Sequence, residues 1–180
     1  MTEVKPALKF ENLGVQYRVK GVARQVLDGV SFEIGRGEAY GLVGESGCGK
    51  STAAFAALRY LPRNGSVNRG RILIDGQDIG KLTGPDLRKL RRVSVAMVYQ
   101  DPGKSLNPSL TIGQQVQEVF ELAGVPRAEW RACVENALSK VQISDPGLVI
   151  GRYPHQLSGG MQQRVAIAMA IASNPALLVL

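Results

Sequence analysis

The sequence predicts an α/β fold, and three stretches of the chain carry that prediction. Alternating apolar and polar residues open the chain, a glycine-rich loop lies between a short apolar run and an alanine-rich run, and a helical section precedes a final apolar run. Alternation at every second residue indicates half-buried strands, whereas apolar residues three and four positions apart indicate helices. At 180 residues, 44% of them hydrophobic, the chain has the size of one domain and enough apolar residues for a core.

The N-terminal part of the chain predicts antiparallel strands. Leu8–Leu13, Val15–Val19 and Val30–Ile34 each alternate between apolar and polar residues, and Lys20-Gly21 is a turn signal. Arg71–Asp75 predicts a further strand. Its terminal aspartate is typical of a strand that presents a carboxylate to a metal, but the Asp-Gly pair formed with the next residue is a hairpin signal. We therefore assign this aspartate to a hairpin.

The most informative stretch is a glycine-rich loop that fits the phosphate-binding pattern G-x-x-x-x-G-K-[ST] at every fixed position. Tyr40–Val43 before it predicts a buried strand, and Ser51–Leu58 after it, which includes Thr52, predicts a helix. This strand–loop–helix order is the context that the pattern requires. The loop consists of Gly44, Glu45, Ser46, Gly47, Cys48, Gly49, Lys50 and Ser51.

The residue types of this loop point to nucleotide binding. Glycines let successive backbone N–H groups face one anion, and the helix N-terminus adds positive potential. Lys50 would meet the terminal phosphates, and the Ser51 hydroxyl can bind Mg²⁺. An ordinary glycine-rich turn with a surface lysine is the alternative, which the flanking strand and helix disfavour. The loop alone does not choose between ATPases, GTPases and small-molecule kinases.

The centre of the chain predicts a buried strand followed by a packed helical lobe. The strand is Val93–Tyr99, and Gln100-Asp101-Pro102 follows it. Pro126 is expected to open a helix at its first position. Two apolar stripes at helical spacing follow the strand, the first made of Ile112, Val116, Val119 and Phe120, the second of Trp130, Cys133, Val134, Ala137, Leu138 and Val141.

A second glycine-containing helix start lies at Leu157–Arg164. Ser158 is a good N-cap, and Val165–Ala170 continue as a buried helix. Serine with Gly159 and Gly160 at a helix start forms either a second anion-binding nest or a simple N-cap, and the residues alone leave both open. Ala176–Leu180 predicts a final buried strand.

Composition bounds the partners and the compartment. The formal net charge is +7, and much of it lies between Arg63 and Arg92, where no aromatic residues interleave the basic ones. This pattern predicts a solvated or anion-facing surface and no nucleic-acid partner. No apolar run reaches membrane-spanning length and no leader pattern opens the chain, so the expected location is cytoplasmic. Cys48 and Cys133 are too few for a disulfide framework.

Together these motifs resemble an ABC transporter ATPase. Gly44–Ser51 looks like its Walker A loop, Gln100 like its Q-loop glutamine, and Leu157–Arg164 like its signature motif. The residues alone leave Tyr17 open between a base-stacking platform and a structural tyrosine, and the resemblance implies stacking on adenine. It also implies a P-loop NTPase core with an N-terminal antiparallel β-subdomain and an inserted helical subdomain. Expected boundaries are about 1–100, 101–157 and 158–180 within one domain.

The resemblance also implies roles for these residues. ATP would bind Tyr17 and the segment Gly44–Thr52, Mg²⁺ would bind Ser51 and Gln100, and Lys50 with Gln100 would serve catalysis. The signature residues would act across a dimer, on ATP held by a second ATP-binding subunit. Those signature residues are Ser158, Gly159, Gly160 and Gln163.

Finer details resemble the bacterial oligopeptide, dipeptide and nickel importers. They are Gln100-Asp101-Pro102, Ser105–Pro108 and Tyr153–Gln156, and Met161 in the signature also fits this branch. The branch implies permease subunits as direct partners, an extracytoplasmic solute-binding protein as an indirect one, and a place on the cytoplasmic face of the inner membrane. A non-transport ABC ATPase acting on DNA or ribosomes is the alternative.

One departure from the family concerns hydrolysis. In the family, the strand matching Ala176–Leu180 is followed by Asp-Glu, where Asp supports Mg²⁺ and Glu orients the attacking water. Neither of these residues nor the later switch histidine is among the 180 residues. We therefore expect a chain that is truncated before this pair and that binds ATP without hydrolysing it.

Overall fold

The chain opens as a long antiparallel hairpin. In the computed structural model, which describes residues 5–101, 103 and 105–180, strands β1 (Leu8–Val19) and β2 (Val22–Ile34) pair with each other. Lys20 and Gly21 connect them with φ of 50° and 81°, as a two-residue hairpin requires. The two strands predicted around Gly14 form one strand, β1, whose register is irregular between Phe10 and Gln16.

Two more strands complete this sheet, whose order is β2-β1-β3-β4. β3 (Gly65–Ile74) and β4 (Gln77–Asp78) are joined by Asp75 and Gly76, with φ of 51° and 76°. This confirms the hairpin assignment of Asp75, whose carboxylate also accepts a hydrogen bond from Arg36 at 2.7 Å. The sheet and its helices belong to the first of two compact units, which ends at Arg88.

The first unit contains helix α1 (Lys50–Ala57) and all but the last residue of helix α2 (Gly84–Lys89). The predicted helix Ser51–Leu58 is confirmed as α1, shifted by one residue at each end. The chain leaves the helix at Arg59, which adopts a φ of 50°, and Tyr60 N–H donates to the Phe55 carbonyl at 2.7 Å. This is a Schellman-type helix end. α1 packs against β1, β2 and β3 through small buried residues, which are Ala53, Ala56 and Ala57.

The strand predicted at Tyr40–Val43 is not formed. These four residues have no regular secondary structure, and the Val43 side chain is 96% exposed. An apolar run becomes a buried strand only when neighbouring strands satisfy its backbone and cover its side chains. Neither sheet of the described residues includes this run. Tyr40 instead stacks on Phe32, with ring centroids 5.1 Å apart.

Several residues of the basic stretch pair with carboxylates on this sheet. Arg69 contacts Asp28 at 2.7 Å, and Arg71 Nε donates to the Glu11 carboxylate. That hydrogen bond lowers the pKa of Glu11 and raises the pKa of Arg71. Part of the basic stretch is therefore neutralised within the chain.

The second unit is Lys89–Leu180 and is mainly helical. Its two strands, β5 (Val95–Met97) and β6 (Leu177–Val179), pair in parallel and are shorter than predicted. A π-helical turn occupies 90–94 in place of the start of the first predicted strand. Its helices are α3 (Ile112–Leu122), α4 (Trp130–Lys140), α5 (Pro146–Val149) and α6 (Gly159–Ala172).

Both predicted apolar stripes pack into one core of the second unit. Ile112, Val116 and Leu138 are fully buried there, and Trp130 is partly buried against the same cluster. Pro126 precedes a 3₁₀ turn that leads into α4, so it lies before the helix and not at its first position. Within the described residues, no helix combines the length and the apolar character needed to cross a membrane.

Candidate functional site

The phosphate loop begins helix α1 in a conformation that only glycine adopts easily. Gly47 and Gly49 have φ of 85° and 101°, and Gly49 is the N-cap. Gly49 carries no side chain that could cap the helix, so the first backbone N–H groups of α1 remain available to a ligand. Such groups at a helix N-terminus form an anion site.

The Lys50 ammonium lies over this loop. Its Nζ donates to the carbonyl oxygens of Gly44 and Glu45, at 2.7 and 2.6 Å, and lies 3.6 Å from the Cys48 sulfur. These contacts hold the cation against the loop that precedes α1, whose first N–H groups have no side-chain cap. One short segment therefore carries both a cation and uncapped N–H donors, the two groups that binding of a polyphosphate requires.

Strand β2 packs directly against the phosphate loop at Gly49, a contact that the sequence analysis did not predict. A Cβ on Gly49 would lie 2.7 Å from Leu27 Cδ2 and 3.4 Å from the Val26 carbonyl oxygen. Leu27 is itself buried at 6% exposure. Glycine at 49 is thus fixed twice, by its φ and by the close approach of β2. Only the alternating pattern of the Val30–Ile34 strand, extended backwards, could have signalled this neighbour.

The other loop residues and Tyr17 also belong to the first unit. Glu45, Ser46, Cys48 and Ser51 are exposed, whereas Thr52 in α1 is partly buried. Tyr17 lies in β1, opposite Arg24 on β2 and Gly65 on β3.

The Tyr17 ring is placed by its cross-strand neighbour. A Cβ on Gly65 would come within 2.8 Å of Tyr17 Cε1, so the glycine makes room for the ring. Tyr17 is partly buried, which fits a ring with one supported side. Its role at a base stays a prediction.

Gln100 lies in the second unit, in an exposed loop after β5. Val98 N–H donates to the Val179 carbonyl at 2.9 Å, so the β5–β6 ladder fixes the start of this loop. Two residues of the motif region, Pro102 and Lys104, lie outside the described residues. The loop returns to the core at Leu106, which is 4% exposed.

The signature segment begins α6 as predicted. Ser158 is the N-cap, and its Oγ accepts a hydrogen bond from Met161 N–H at 3.4 Å. Gly159, Gly160 and Gln163 are exposed. Among the described residues, outside the adjoining residues and the backbone of α6, no atom lies within 4 Å of a Cβ built on either glycine. The start of α6 therefore presents an open surface.

Gln162, which the sequence analysis did not single out, lies between the loop that follows β5 and the segment that leads into α6. Gln162 Nε2 donates to the carbonyls of Pro154 and Leu157, at 2.8 and 3.3 Å. Its Oε1 faces the Q-loop, 3.1 Å from a Cβ built on Gly103. Gly103, in the loop after β5, and Gln162, near the start of α6, are therefore close neighbours within the second unit.

Comparison with protein families gives one match along most of the chain. A family model described as ABC transporter matches residues 27–180. The dipeptide transport ATP-binding protein of Bacillus subtilis is 39% identical over 98% of this chain and 53% of its own length. The oligopeptide transport ATP-binding protein of the same organism is 36% identical over 99% of this chain and 51% of its own length. The chain thus spans about half the length of the curated relatives it matches.

Solved structures show the same architecture. A dimeric ATP-binding cassette bound to ADP and Pi has a TM-score of 0.80 and 28% identity, over 95% of this chain and 72% of that one. A component of an ABC transporter complex from Clostridium perfringens has a TM-score of 0.80 and 32% identity, over 97% and 64%. These likenesses confirm the predicted fold class, a P-loop α/β core with an antiparallel β-subdomain and a helical region.

Proposed function

This chain belongs to the ABC transporter family, and from that premise we propose that it is the ATP-binding part of a bacterial peptide importer. The names of the Bacillus relatives, which describe dipeptide and oligopeptide transport, support the peptide assignment. Since the chain spans about half of each relative, uptake is an activity that we propose for the whole protein. Its direct partners would be permease subunits at the cytoplasmic face of the inner membrane.

The geometry of the phosphate loop is the observation that carries the proposal. Lys50 Nζ lies within 2.7 Å of two loop carbonyls, beside a helix start whose N–H groups have no side-chain cap. In phosphoryl-transfer proteins most of the catalytic effect comes from positioning and charge neutralisation. Lys50 would supply charge, the loop N–H groups would orient the phosphates, and Tyr17 would support the base.

The donors proposed for Mg²⁺ fit the ion chemically. Ser51 offers a hydroxyl oxygen on α1, and Gln100 offers an amide oxygen, both on exposed residues. Mg²⁺ prefers oxygen donors and keeps several waters when few protein ligands bind it. Bound Mg²⁺ would offset phosphate charge, with Ser51 as its ligand in the first unit, and Gln100 is the further ligand that the family implies.

We also propose that the signature acts on a second copy or a related subunit. The chain has two anion-suited helix starts and needs only one for its own triphosphate. The open surface at Gly159 and Gly160 leaves space for an approaching nucleotide. One dimeric cassette among the similar structures holds ADP and Pi, which supports a dimeric arrangement here.

For hydrolysis, two carboxylates close to the motifs already have other places in the structure. Asp75 is paired with Arg36 in a hairpin, and Glu45 lies inside the phosphate loop. Orienting the attacking water needs a carboxylate on the far side of the terminal phosphate. We propose that residues 1–180 bind ATP and release phosphate far more slowly than an ordinary ATPase.

The test is a paired measurement on the purified chain and its Lys50→Ala variant. Calorimetry should show Mg-ATP binding by the parent chain, with affinity reduced at least tenfold in the variant because the phosphate charge is no longer met. Lys20→Ala, in an exposed hairpin turn, is the control and should bind normally. Equal affinity in Lys50→Ala would refute the loop assignment, and rapid Lys50-dependent phosphate release would refute the hydrolysis proposal.

A further inference from the structure

Gln115 is a polar side chain buried in the core of the second unit. It is 3% exposed, and its neighbours along α3, Ile112 and Val116, are fully buried. An amide in such a place costs about 1–3 kcal/mol unless its hydrogen-bonding groups are satisfied. A core position filled this way therefore needs a specific reason.

The amide of Gln115 braces one turn. Its Nε2 donates to the carbonyls of Asn107 and Leu110, each at 3.0 Å, and its Oε1 accepts from Asn107 N–H at 2.8 Å. Both amide hydrogens are therefore used on the two ends of a single turn. Leu110 N–H also donates to the Asn107 carbonyl at 3.3 Å, which closes the turn itself.

This turn is where the loop carrying Gln100 re-enters the core. Val98 fixes the first end of the loop through the β5–β6 ladder. Leu106 and Asn107 fix the second end, the former by burial and the latter by the Gln115 amide. Gln100 lies between these two fixed ends and is exposed.

We propose that Gln115 is a positioning residue for Gln100, acting through the Asn107–Leu110 turn. The inference rests on the proposed function, in which Gln100 is a ligand of the Mg²⁺ that accompanies ATP. Residues that orient a metal ligand typically change metal affinity about 10–100-fold when they are replaced. The hydrogen bonds of the Gln115 amide, and not only the volume of the side chain, determine how much Mg²⁺ increases ATP affinity.

The experiment compares ATP affinity with Mg²⁺ and with EDTA, and uses the ratio as the readout. Gln115→Met keeps the shape but removes all three hydrogen bonds, so the ratio should fall about tenfold, as it should in Gln100→Ala. Affinity in EDTA should stay within twofold. Gln117→Met makes the same change on the same helix and should leave the ratio unchanged.

A pH series on Gln115→Glu separates positioning from packing. A buried carboxylate facing two carbonyls has a raised pKa, and its protonated form regains one donor. We divide the affinity ratio of Gln115→Glu by that of the parent chain at the same pH. This quotient should rise as pH falls from 8 to about 5.5. Each measurement is made at a pH where circular dichroism shows that the chain is folded. Gln115→Met should show no such recovery.

The outcomes distinguish this inference from its premise. If Gln100→Ala leaves the ratio unchanged, the proposed metal role of Gln100 fails. If Gln100→Ala lowers the ratio while folded Gln115→Met and Gln115→Glu match the parent chain, Gln115 is structural only. If Gln115→Met does not fold, the Gln115→Glu series is sufficient by itself. A Gln115→Glu chain whose affinity ratio equals that of the parent chain at every pH overturns the inference.

Discussion

The two glycine-containing helix starts of this chain use their glycines for different reasons. At the start of α1, Gly49 has a φ of 101°, and a Cβ there would meet Leu27 at 2.7 Å. At the start of α6, Gly159 and Gly160 do not have positive φ, and outside the adjoining residues and the backbone of α6 no described atom lies within 4 Å of a Cβ on either one. The first glycine is required by the fold, whereas the other two leave a surface open.

Helices α1 and α6 also differ in how their first N–H groups are capped. α1 has no side-chain cap, whereas Ser158 Oγ accepts from Met161 N–H at the start of α6. Uncapped N–H groups beside Lys50 are ready for a ligand within the same unit. A capped start with open glycines is stable without a ligand and suits one that approaches from outside. Similar glycine-rich sequences therefore predict different consequences of substitution.

The largest effect is expected for Gly49→Ala. It should abolish measurable ATP binding and lower the free energy of unfolding by about 1–3 kcal/mol, because alanine is strained at positive φ and meets Leu27. Calorimetry and thermal unfolding measure the two effects. Gly37→Ala is the control, since Gly37 has a φ of 74° with no described atom near its Cβ. It should lose stability but keep ATP affinity, and a Gly49→Ala chain that binds ATP normally would contradict the comparison.

Tyr17→Ala tests whether the nucleotide bound at the start of α1 also contacts Tyr17 through its base. Loss of aromatic stacking should weaken ATP binding by about 1–3 kcal/mol while leaving inorganic triphosphate binding nearly unchanged. Competition titrations with both ligands give the difference. Equal losses for the two ligands would show that Tyr17 supports the sheet and does not contact the base.

Ser158→Ala should affect stability without affecting ATP binding by this chain. Removing an N-cap costs about 0.5–2 kcal/mol, which urea unfolding can resolve. Thr111→Ala removes the comparable cap of α3 and serves as a reference, because Gln114 N–H donates to Thr111 Oγ1. A fall in ATP affinity specific to Ser158→Ala would mean that the signature contacts nucleotide within one chain.

The smallest effect is expected for Gly160→Ala. The new methyl group meets no described atom, so the free energy of unfolding should change by no more than about 1 kcal/mol, in the stabilising direction that helix propensity predicts. Thermal unfolding checks this directly. A destabilisation as large as that of Gly49→Ala would show that the open surface is occupied within the folded chain.

Local signals in the sequence correctly located the caps and tight turns. Ser158 at its helix start and the pairs Lys20-Gly21 and Asp75-Gly76 are where the residue types place them. These features depend on one side chain and the backbone within a few residues of it. The Ile112–Phe120 stripe was also predictable, since burial repeats along a single helix.

Predictions that needed a neighbouring segment failed or were missed. Tyr40–Val43 has the composition of a buried strand but is exposed, because a buried strand also requires neighbouring segments that pair with its backbone and cover its side chains. Gln115 looked like one more polar residue of α3, yet its amide is committed to a turn several residues earlier. Periodicity describes which face is apolar and does not reveal which backbone groups lie opposite a buried amide.

The sequence by itself determined the phosphate-loop pattern, the order of the motifs and the family to which the chain belongs. Those properties depend on residue types at fixed spacing, and these residue types also determine the local backbone conformation. Tertiary structure alone decided that Leu27 lies beneath Gly49, that Gly65 makes room for Tyr17, and that Gln115 holds the end of the Gln100 loop. Each of these depends on close packing between segments far apart in sequence, where distances of a few ångströms set the energy.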